Sequence, residues 1–344
     1  MSRKIVNRIL LTLALALAFP TGLAAQRTYT FHSPSVLAKG KWVKVKTAKS
    51  GIHEISYEKL REMGFSNPAQ VSVYGEGGRF RPLHLKDDGK KTQPDDPEQV
   101  AVLHKDNKLY FYAIGLNDPK LTDEGYVAGE MNIYNTRGHY YLTDYGTPLL
   151  MATSGDVADN PVDASVGYGY SLHENDVLYG NHNSGQYFWE YSIIDEPLKS
   201  WTVRPALMAD NCMGSLGADI MVWVTEKTLT PPGSFSVALN GKKESWVPGT
   251  ENVSQLSTYR VDNVSLPSGN VDITISSNEP WVDDAWLDKW ILTYDKDMRK
   301  ATSTMRQERL GILGNKPGGF VAIPQGCMGF DVTDPVRPTV MAAT

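Results

Sequence analysis

Apolar and polar residues alternate in short runs along most of the chain. Trp42-Val43-Lys44-Val45-Lys46, Gln70-Val71-Ser72-Val73-Tyr74, Leu109-Tyr110-Phe111-Tyr112-Ala113, Ile220-Met221-Val222-Trp223-Val224, Ser234-Phe235-Ser236-Val237-Ala238-Leu239 and Val271-Asp272-Ile273-Thr274-Ile275 have the length and β-branched or aromatic content of strands. Most alternate with period two, as a sheet with one wet face requires. Asn240-Gly241, directly after the fifth run, is the strongest short hairpin signal in the chain, because both positions tolerate positive φ. One helix stands out over residues 57–63. Ser56 is placed to cap it, Leu60 and Met63 share a face at i and i+3, and Gly64 is placed to end it. The charged segment 295–310 has the polarity of a surface helix, but Thr302, Ser303 and Thr304 weaken that reading, and it is expected to be extended. The pattern predicts a mainly β protein of two β-sandwich-like domains with one short helix near residues 57–63.

Punctuation sets the expected organisation. Residues 1–25 read as an export signal. Arg3, Lys4 and Arg8 form a positive start, residues 9–19 an apolar stretch, and Gly22-Leu23-Ala24-Ala25 a small-residue cleavage site before Gln26. Eleven apolar residues rise only about 16 Å as a helix, too short for the roughly 30 Å hydrocarbon layer. No cysteine follows the cleavage site, so no lipid anchor is expected there. No later stretch has the apolar length of a spanning helix, so the chain is expected to be exported to the periplasm, outer membrane or cell surface and not to span a membrane. The small polar stretch 152–161 lacks periodicity and marks the best internal boundary. The expected division is an N-terminal β domain with the short helix over residues 26–151, a linker over 152–165 and a C-terminal β-sandwich-like domain over 166–344. Seven of the eight tryptophans lie beyond that boundary. Residues 86–98, rich in Asp and Lys, read as a solvated loop. No fixed-period repeat is present, which excludes a solenoid or propeller.

Composition then narrows the function classes. Apolar residues make up 41% and charged residues 21% of the chain, the balance of a globular protein. The formal charge is −5, from 34 Lys and Arg against 39 Asp and Glu; without Arg3, Lys4 and Arg8 it becomes 31 against 39, or −8. Duplex binding needs clustered positive charge to neutralise phosphates, so nucleic acid is not an expected partner. The two cysteines, Cys212 and Cys327, are no disulfide framework; one bridge between them and two separate thiols both remain open.

Each chemical motif meets a plainer alternative. Gly75-Glu76-Gly77-Gly78 follows a strand as a phosphate loop would, but no Lys-Ser/Thr pair follows and residues 79–85 look like a second strand, so a hairpin turn is expected. His173-Glu174 resembles the start of a zinc-protease helix, yet position 177 is Val177 and His182 lies in a Gly- and Asn-rich stretch, so no metal site is expected. Cys327, within Gly326-Cys327-Met328-Gly329, has a tolerable setting for a nucleophile, but its nearest histidine in sequence is His182, and no catalytic role is assigned. Asp283-Asp284 beside Trp281 and Trp286 would suit sugar hydrolysis or stacking. Against that, Trp286, Asp288, Trp290, Leu292 and Tyr294 alternate with Leu287, Lys289, Ile291 and Thr293, the pattern of a strand with a largely apolar inward face. Asn252-Val253-Ser254 and Asn263-Val264-Ser265 fit the glycosylation sequon without deciding anything. No catalytic, cofactor-binding or metal-binding residue is assigned, and no cofactor is expected.

Several segments together resemble a known family. Lys44-Val45-Lys46, Lys49-Ser50-Gly51-Ile52-His53-Glu54-Ile55-Ser56-Tyr57, Leu60, Gly64 and Val73-Tyr74-Gly75-Glu76-Gly77-Gly78 look like the start of the surface sortase of the Bacteroidota type IX secretion system. Tyr110-Phe111-Tyr112-Ala113, Tyr140-Tyr141-Leu142-Thr143, Ser171-Leu172-His173-Glu174-Asn175-Asp176, Ser184-Gly185, Trp286-Leu287-Asp288 and Phe330-Asp331-Val332-Thr333-Asp334-Pro335 follow in the same order. Around Gly185-Gln186-Tyr187-Phe188-Trp189-Glu190 the pattern is loosened. The resemblance implies a β-rich region ahead of a gingipain-type cysteine peptidase domain, with the Asp-Val-Thr-Asp-Pro segment just before that domain. It also implies that this chain is the non-catalytic front, with secretion-system outer-membrane components and cargo C-terminal domains as partners. In that family the whole protein removes the sorting domain from secreted cargo and attaches the cargo to an anionic lipopolysaccharide. The alternative is a secreted carbohydrate-binding or adhesin β-sandwich, which would need Trp281, Trp286 and Trp290 exposed in one patch. A glycosidase using Asp283 or Asp284 comes last.

Overall fold

The computed structural model describes residues 34–79, 86–87, 90–91, 94–117, 119–122, 125–129, 131–132, 134–154, 162–163, 166–174, 191–192, 200–224, 235–246, 255–265, 269–277, 285–297, 311–312, 319–320 and 328–341. The expected signal, residues 79–85 beyond Arg79, His182, residues 185–190, Trp281, Asp283, Asp284, residues 298–310, the sequon at Asn252 and Cys327 lie outside the described residues. Among the described residues, no helix is long and apolar enough to cross a membrane.

The chain divides into two compact units, Met1–Ala38 with Pro82–Asp96, and Lys39–Arg81 with Pro97–Thr344. Within residues 86–98, expected as a solvated loop, two short strands are present. Lys86–Asp87 and Lys90–Lys91 pair antiparallel as a minimal hairpin. In the same unit, Asp96 accepts hydrogen bonds from the Ser35 hydroxyl at 2.6 Å and the Val36 N–H at 2.7 Å. The short polar side chain satisfies donors that a chain reversal leaves bare.

The larger unit is built from strands. In chain order the elements are β1 (Val43–Thr47), β2 (Gly51–Ser56), the helix Tyr57–Glu62 and β3 (Ser72–Gly77). The hairpin of the smaller unit supplies β4 (Lys86–Asp87) and β5 (Lys90–Lys91). Then follow β6 (Gln99–Val100), β7 (Val102–Lys105), β8 (Lys108–Ala113), β9 (Lys120–Thr122), β10 (Gly125–Val127) and β11 (Gly138–Thr143). Next come β12 (Thr153–Ser154), β13 (Val162–Asp163), β14 (Val166–Glu174), β15 (Tyr191–Ser192), β16 (Ser200–Met208) and β17 (Cys212–Val224). The last are β18 (Phe235–Leu239), β19 (Lys242–Trp246), β20 (Gln255–Ser265), β21 (Asn270–Ser277), β22 (Ala285–Asp297), β23 (Gly311–Ile312), β24 (Gly319–Phe320), β25 (Phe330–Asp331) and β26 (Thr339–Met341). The six runs chosen from alternation all lie on or overlap strands.

Two hydrophobic cores result. The first lies between the sheet β1-β11-β3-β6 and the sheet β2-β8-β7. Val73, Val100, Tyr140 and Leu142 come from one sheet, Val102, Leu109, Phe111 and Ala113 from the other, and Leu60 from the helix. The helix is held at both ends as its residues demand. The Ser56 hydroxyl accepts the Lys59 N–H at 3.1 Å. At the other end Gly64 adopts φ +87, its N–H bonds the Arg61 carbonyl, and the Phe65 N–H bonds the Leu60 carbonyl. That paired closure is the Schellman arrangement, and it delivers Phe65 into the core beside Leu60.

The second core lies between the six-stranded sheet containing β20-β17-β22-β14-β23, with β15 also on β22, and the sheet β16-β21-β18-β19. Alternation is clean in β21, where Val271, Ile273 and Ile275 are buried in the core. Asn240 and Gly241 take φ of 45° and 88° and close the β18–β19 hairpin, with Leu239 opposite Lys242. Both values suit a type I′ turn.

Two sequence readings are corrected here. Gly75-Glu76-Gly77 makes no hairpin turn; it continues β3, with Gly77 paired to His139 of β11. The glycines serve close backbone approach instead. A Cβ on Gly77 would stand 2.4 Å from the Ile114 carbonyl oxygen, and one on Gly138 would stand 2.6 Å from the Gly78 nitrogen. The ends of β3 and β8 and the start of β11 therefore meet at a point with no room for side chains. The second correction concerns β22. Met221 pairs with Lys289 and Val222 with Leu287, so Asp288 is an extra residue in the ladder. The bulge breaks strict alternation: Leu287, Trp290, Leu292 and Tyr294 share the core, and Trp286 and Asp288 do not belong to that face.

Candidate functional site

Most residues singled out for chemistry occupy structural positions. His173 is buried on β14 directly across from Trp290, with ring centroids 6.4 Å apart. It sits on a strand, where the one-turn spacing of a helical zinc motif has no meaning. Among the described residues, no group of three or more His, Cys, Asp or Glu side chains is placed to hold a metal ion. Cys212 is a free, half-buried thiol packed against the second core. Burial, and then the nearby Asp295 carboxylate, push its pKa up, the opposite of what a nucleophilic thiol needs. Trp290 is fully buried and Trp286 half-buried, so the tryptophan patch needed for sugar stacking is not assembled from these two residues.

The densest polar constellation is internal, and alternation gave no sign of it. Lys289 of β22 stands across from Glu174 of β14 in the antiparallel register. Its ammonium lies 3.3 Å from Glu174 Oε1 and 3.6 Å from Asp288 Oδ2, and it donates to the Gly129 carbonyl at 3.0 Å. The Asn117 amide donates to the other Glu174 oxygen. The Lys289, Glu174 and Asp288 side chains are 7%, 5% and 3% exposed. Asn117, β10 and Gly129 thus lie against the face of β14 and β22 that points away from the second hydrophobic core. The sequence signal is the adjacent Asp288 and Lys289 in an otherwise apolar strand; strict alternation puts Asp288 on the inward face and Lys289 on the other.

A second junction is made by the end of the described chain. Val336 accepts the Ala101 N–H at 2.8 Å, and the Val340 N–H donates to Ala152 at 2.8 Å. β26 pairs in parallel with β12, Val340 opposite Thr153, and antiparallel with β25. Residues 153–154, inside the stretch read as an aperiodic boundary, are therefore a short strand. The turn between β25 and β26 is pinned by its own aspartates. Asp331 Oδ1 accepts the Thr333 N–H at 2.9 Å, and Asp334 Oδ1 accepts the Val336 N–H at 3.0 Å. The Phe330-Asp331-Val332-Thr333-Asp334-Pro335 segment is thereby followed directly by backbone anchored to Ala101 and Ala152 through Val336 and Val340.

His104 locks the helix to the first sandwich. One ring nitrogen, Nε2, faces the Val71 carbonyl at 3.0 Å and must carry the proton; Nδ1 then accepts the Tyr57 hydroxyl at 2.9 Å. Burial holds the His104 pKa below its ordinary value, outweighing the opposing effect of the Val71 bond. His53 is lowered for the same reason. Because the folded state prefers the neutral rings, the unfolded chain binds protons first as pH falls. Stability is expected to be flat above about pH 6.5 and to fall below it, since the free imidazole titrates there. Urea unfolding between pH 8 and 5 checks this, with His104→Asn expected to be less stable at pH 8 and to show a shallower slope below pH 6.5.

No protein-family model and no curated protein matches this chain. Among solved structures, dimeric latent PorU from Porphyromonas gingivalis is similar over 90% of this chain, with a TM-score of 0.72 and 22% sequence identity. A CBM36-1 domain of a multidomain xylanase from the hindgut metagenome of Trinervitermes trinervoides aligns with 36% of this chain and 95% of that domain, at 14% identity and a TM-score of 0.24. The cycloalternan-forming enzyme from Listeria monocytogenes aligns with 74% of this chain and 18% of its own, at 9% identity and a TM-score of 0.25. The last two likenesses are too distant to carry an argument. This chain spans 30% of the PorU chain, and over that span the two share a fold.

Proposed function

We propose that this chain is the non-catalytic, β-rich front region of a type IX secretion sortase-like protein, exported to the cell envelope. Its work is to scaffold a gingipain-type peptidase domain, or to dock cargo and secretion components at the cell surface. One observation carries the reading: the fold agrees with PorU over 90% of this chain at a TM-score of 0.72. The ordered series of motifs from Lys44 to Pro335 supports it. So does the anchoring of residues 330–341, because a segment held to Ala101 and Ala152 gives whatever it joins a fixed orientation. In this reading residues 152–165 separate two β modules that remain tied by the return of β26.

The test supplies residues 26–344 and a gingipain-type peptidase domain from the same genome as two separate polypeptides. Co-elution and a higher melting temperature for the peptidase domain are the expected results. Failure to associate, with the peptidase domain equally stable alone, would remove the scaffolding role.

A further inference from the structure

We propose that the outer edge of β1, which pairs with no other strand among the described residues, is a docking edge for an extended acidic peptide, which adds to the first sheet as a fifth strand. The inference rests on the strand's position and charge and is independent of the function proposed above. β1 is the terminal strand of the sheet β1-β11-β3-β6, and its register with β11 runs from Val43 opposite Leu142 to Thr47 opposite Gly138. Such an edge presents backbone N–H and C=O groups in a row, a template for one more strand.

The side chains decide what fits. Val43 and Val45 turn inward against the first core, and Lys44 and Lys46 turn outward and are exposed. Tyr141 and His139 of β11 stand across from the two lysines, and the Lys44 ammonium lies 6.0 Å from the centre of the Tyr141 ring. Tyr74 of β3 pairs with Tyr141, and Trp42 meets Tyr74 edge-on at 5.2 Å between centroids. Neither β1 nor β11 contains a carboxylate. The outward face at this edge is therefore aromatic and positive, on a chain whose formal charge is −5.

Lysines on an edge strand act by exclusion as well as attraction. A second copy of β1 would bring Lys44 and Lys46 against their like and be repelled. A strand with carboxylates at alternate positions would set each acid beside one of the lysines, while its intervening side chains turn to the other face. The occupant that the charge selects is thus a polypeptide with an acid-x-acid pattern, recognised through its backbone and its charge together.

Fluorescence anisotropy with the full chain tests this, using a labelled ten-residue peptide that alternates Glu with Val and Thr. The expected result is saturable binding that weakens at least tenfold when alternate peptide amides are N-methylated. A comparable weakening is expected in the Lys44→Glu/Lys46→Glu variant, which should in turn bind the peptide with Lys in place of Glu. Amide hydrogen exchange in residues 43–47 should slow when the acidic peptide is bound. Absence of binding would overturn the proposal. So would binding indifferent to N-methylation, or equal binding of a polygalacturonate fragment, because either shows charge attraction without strand addition. If the double variant does not fold, the N-methylated peptide and the exchange measurement on the unaltered chain decide the matter alone.

Discussion

Replacing Trp290 with alanine is expected to lower unfolding free energy by about 3–5 kcal/mol, the cost of emptying a large aromatic site in a packed core. Trp290 is the largest fully buried side chain among the described residues. It lies where the two sheets of the second sandwich meet, with Ile220 of β17 on one side in register and His173 of β14 on the other. The chains around it are long, hydrogen-bonded strands that cannot collapse into the gap. Its indole N–H has no hydrogen-bond partner, so the site is held by shape and dispersion alone. Trp290→Phe should therefore cost clearly less than Trp290→Ala, because it keeps most of the volume and removes an unpaired buried donor. Urea unfolding of the two variants checks the ranking. Equal losses would mean that the indole N–H, and not the volume, matters at this position.

The second large effect is expected at Lys289. Lys289→Met should destabilise by about 3–5 kcal/mol, because removing one member of a buried ion pair strands its partner charges. Glu174 and Asp288 would lose the ammonium that balances them in a buried setting, and the Gly129 carbonyl would lose its donor. Neutralising a carboxylate should recover part of that loss. The double variant Lys289→Met/Glu174→Gln is expected to be more stable than Lys289→Met alone. Additive losses in the double-variant cycle would show that Lys289 and Glu174 act independently. Amide exchange over residues 117–129 adds a local readout, since loosening of the ionic joint should appear there before the hydrophobic core opens.

What the sequence made legible was local. Alternation in β21, the Asn240-Gly241 turn and the Ser56 cap each depend on residues within a few positions, and each appears as expected. The two-sandwich architecture followed from counting such runs. What escaped is set by partners far along the chain. The Asp288 bulge exists only relative to β17, so period-two reading placed Trp286 with Trp290. Gly75 and Gly77 look like turn residues until Ile114 and Tyr140 are brought against them. Nothing in the neighbourhood of Lys289 announces that β10, Asn117 and Gly129 will lie against its face of the sheet. The anchoring of β26 on β12 joins residues nearly two hundred apart, which no short pattern encodes. The Asp106-Asn107 turn, with φ of 50° and 56°, could have been read from residue types alone, since both tolerate positive φ, but it lacks the glycine that flags most such turns.

In the proposed role this chain holds and presents a neighbouring domain, and the bond-breaking groups are not its own. Purified residues 26–344, incubated with a panel of unfolded and sorting-domain peptides, measure that directly by mass spectrometry of the products. No cleavage above that of a Cys327→Ser variant prepared in the same way is expected. Turnover that is robust in the unaltered chain and lost with Cys327→Ser would contradict it.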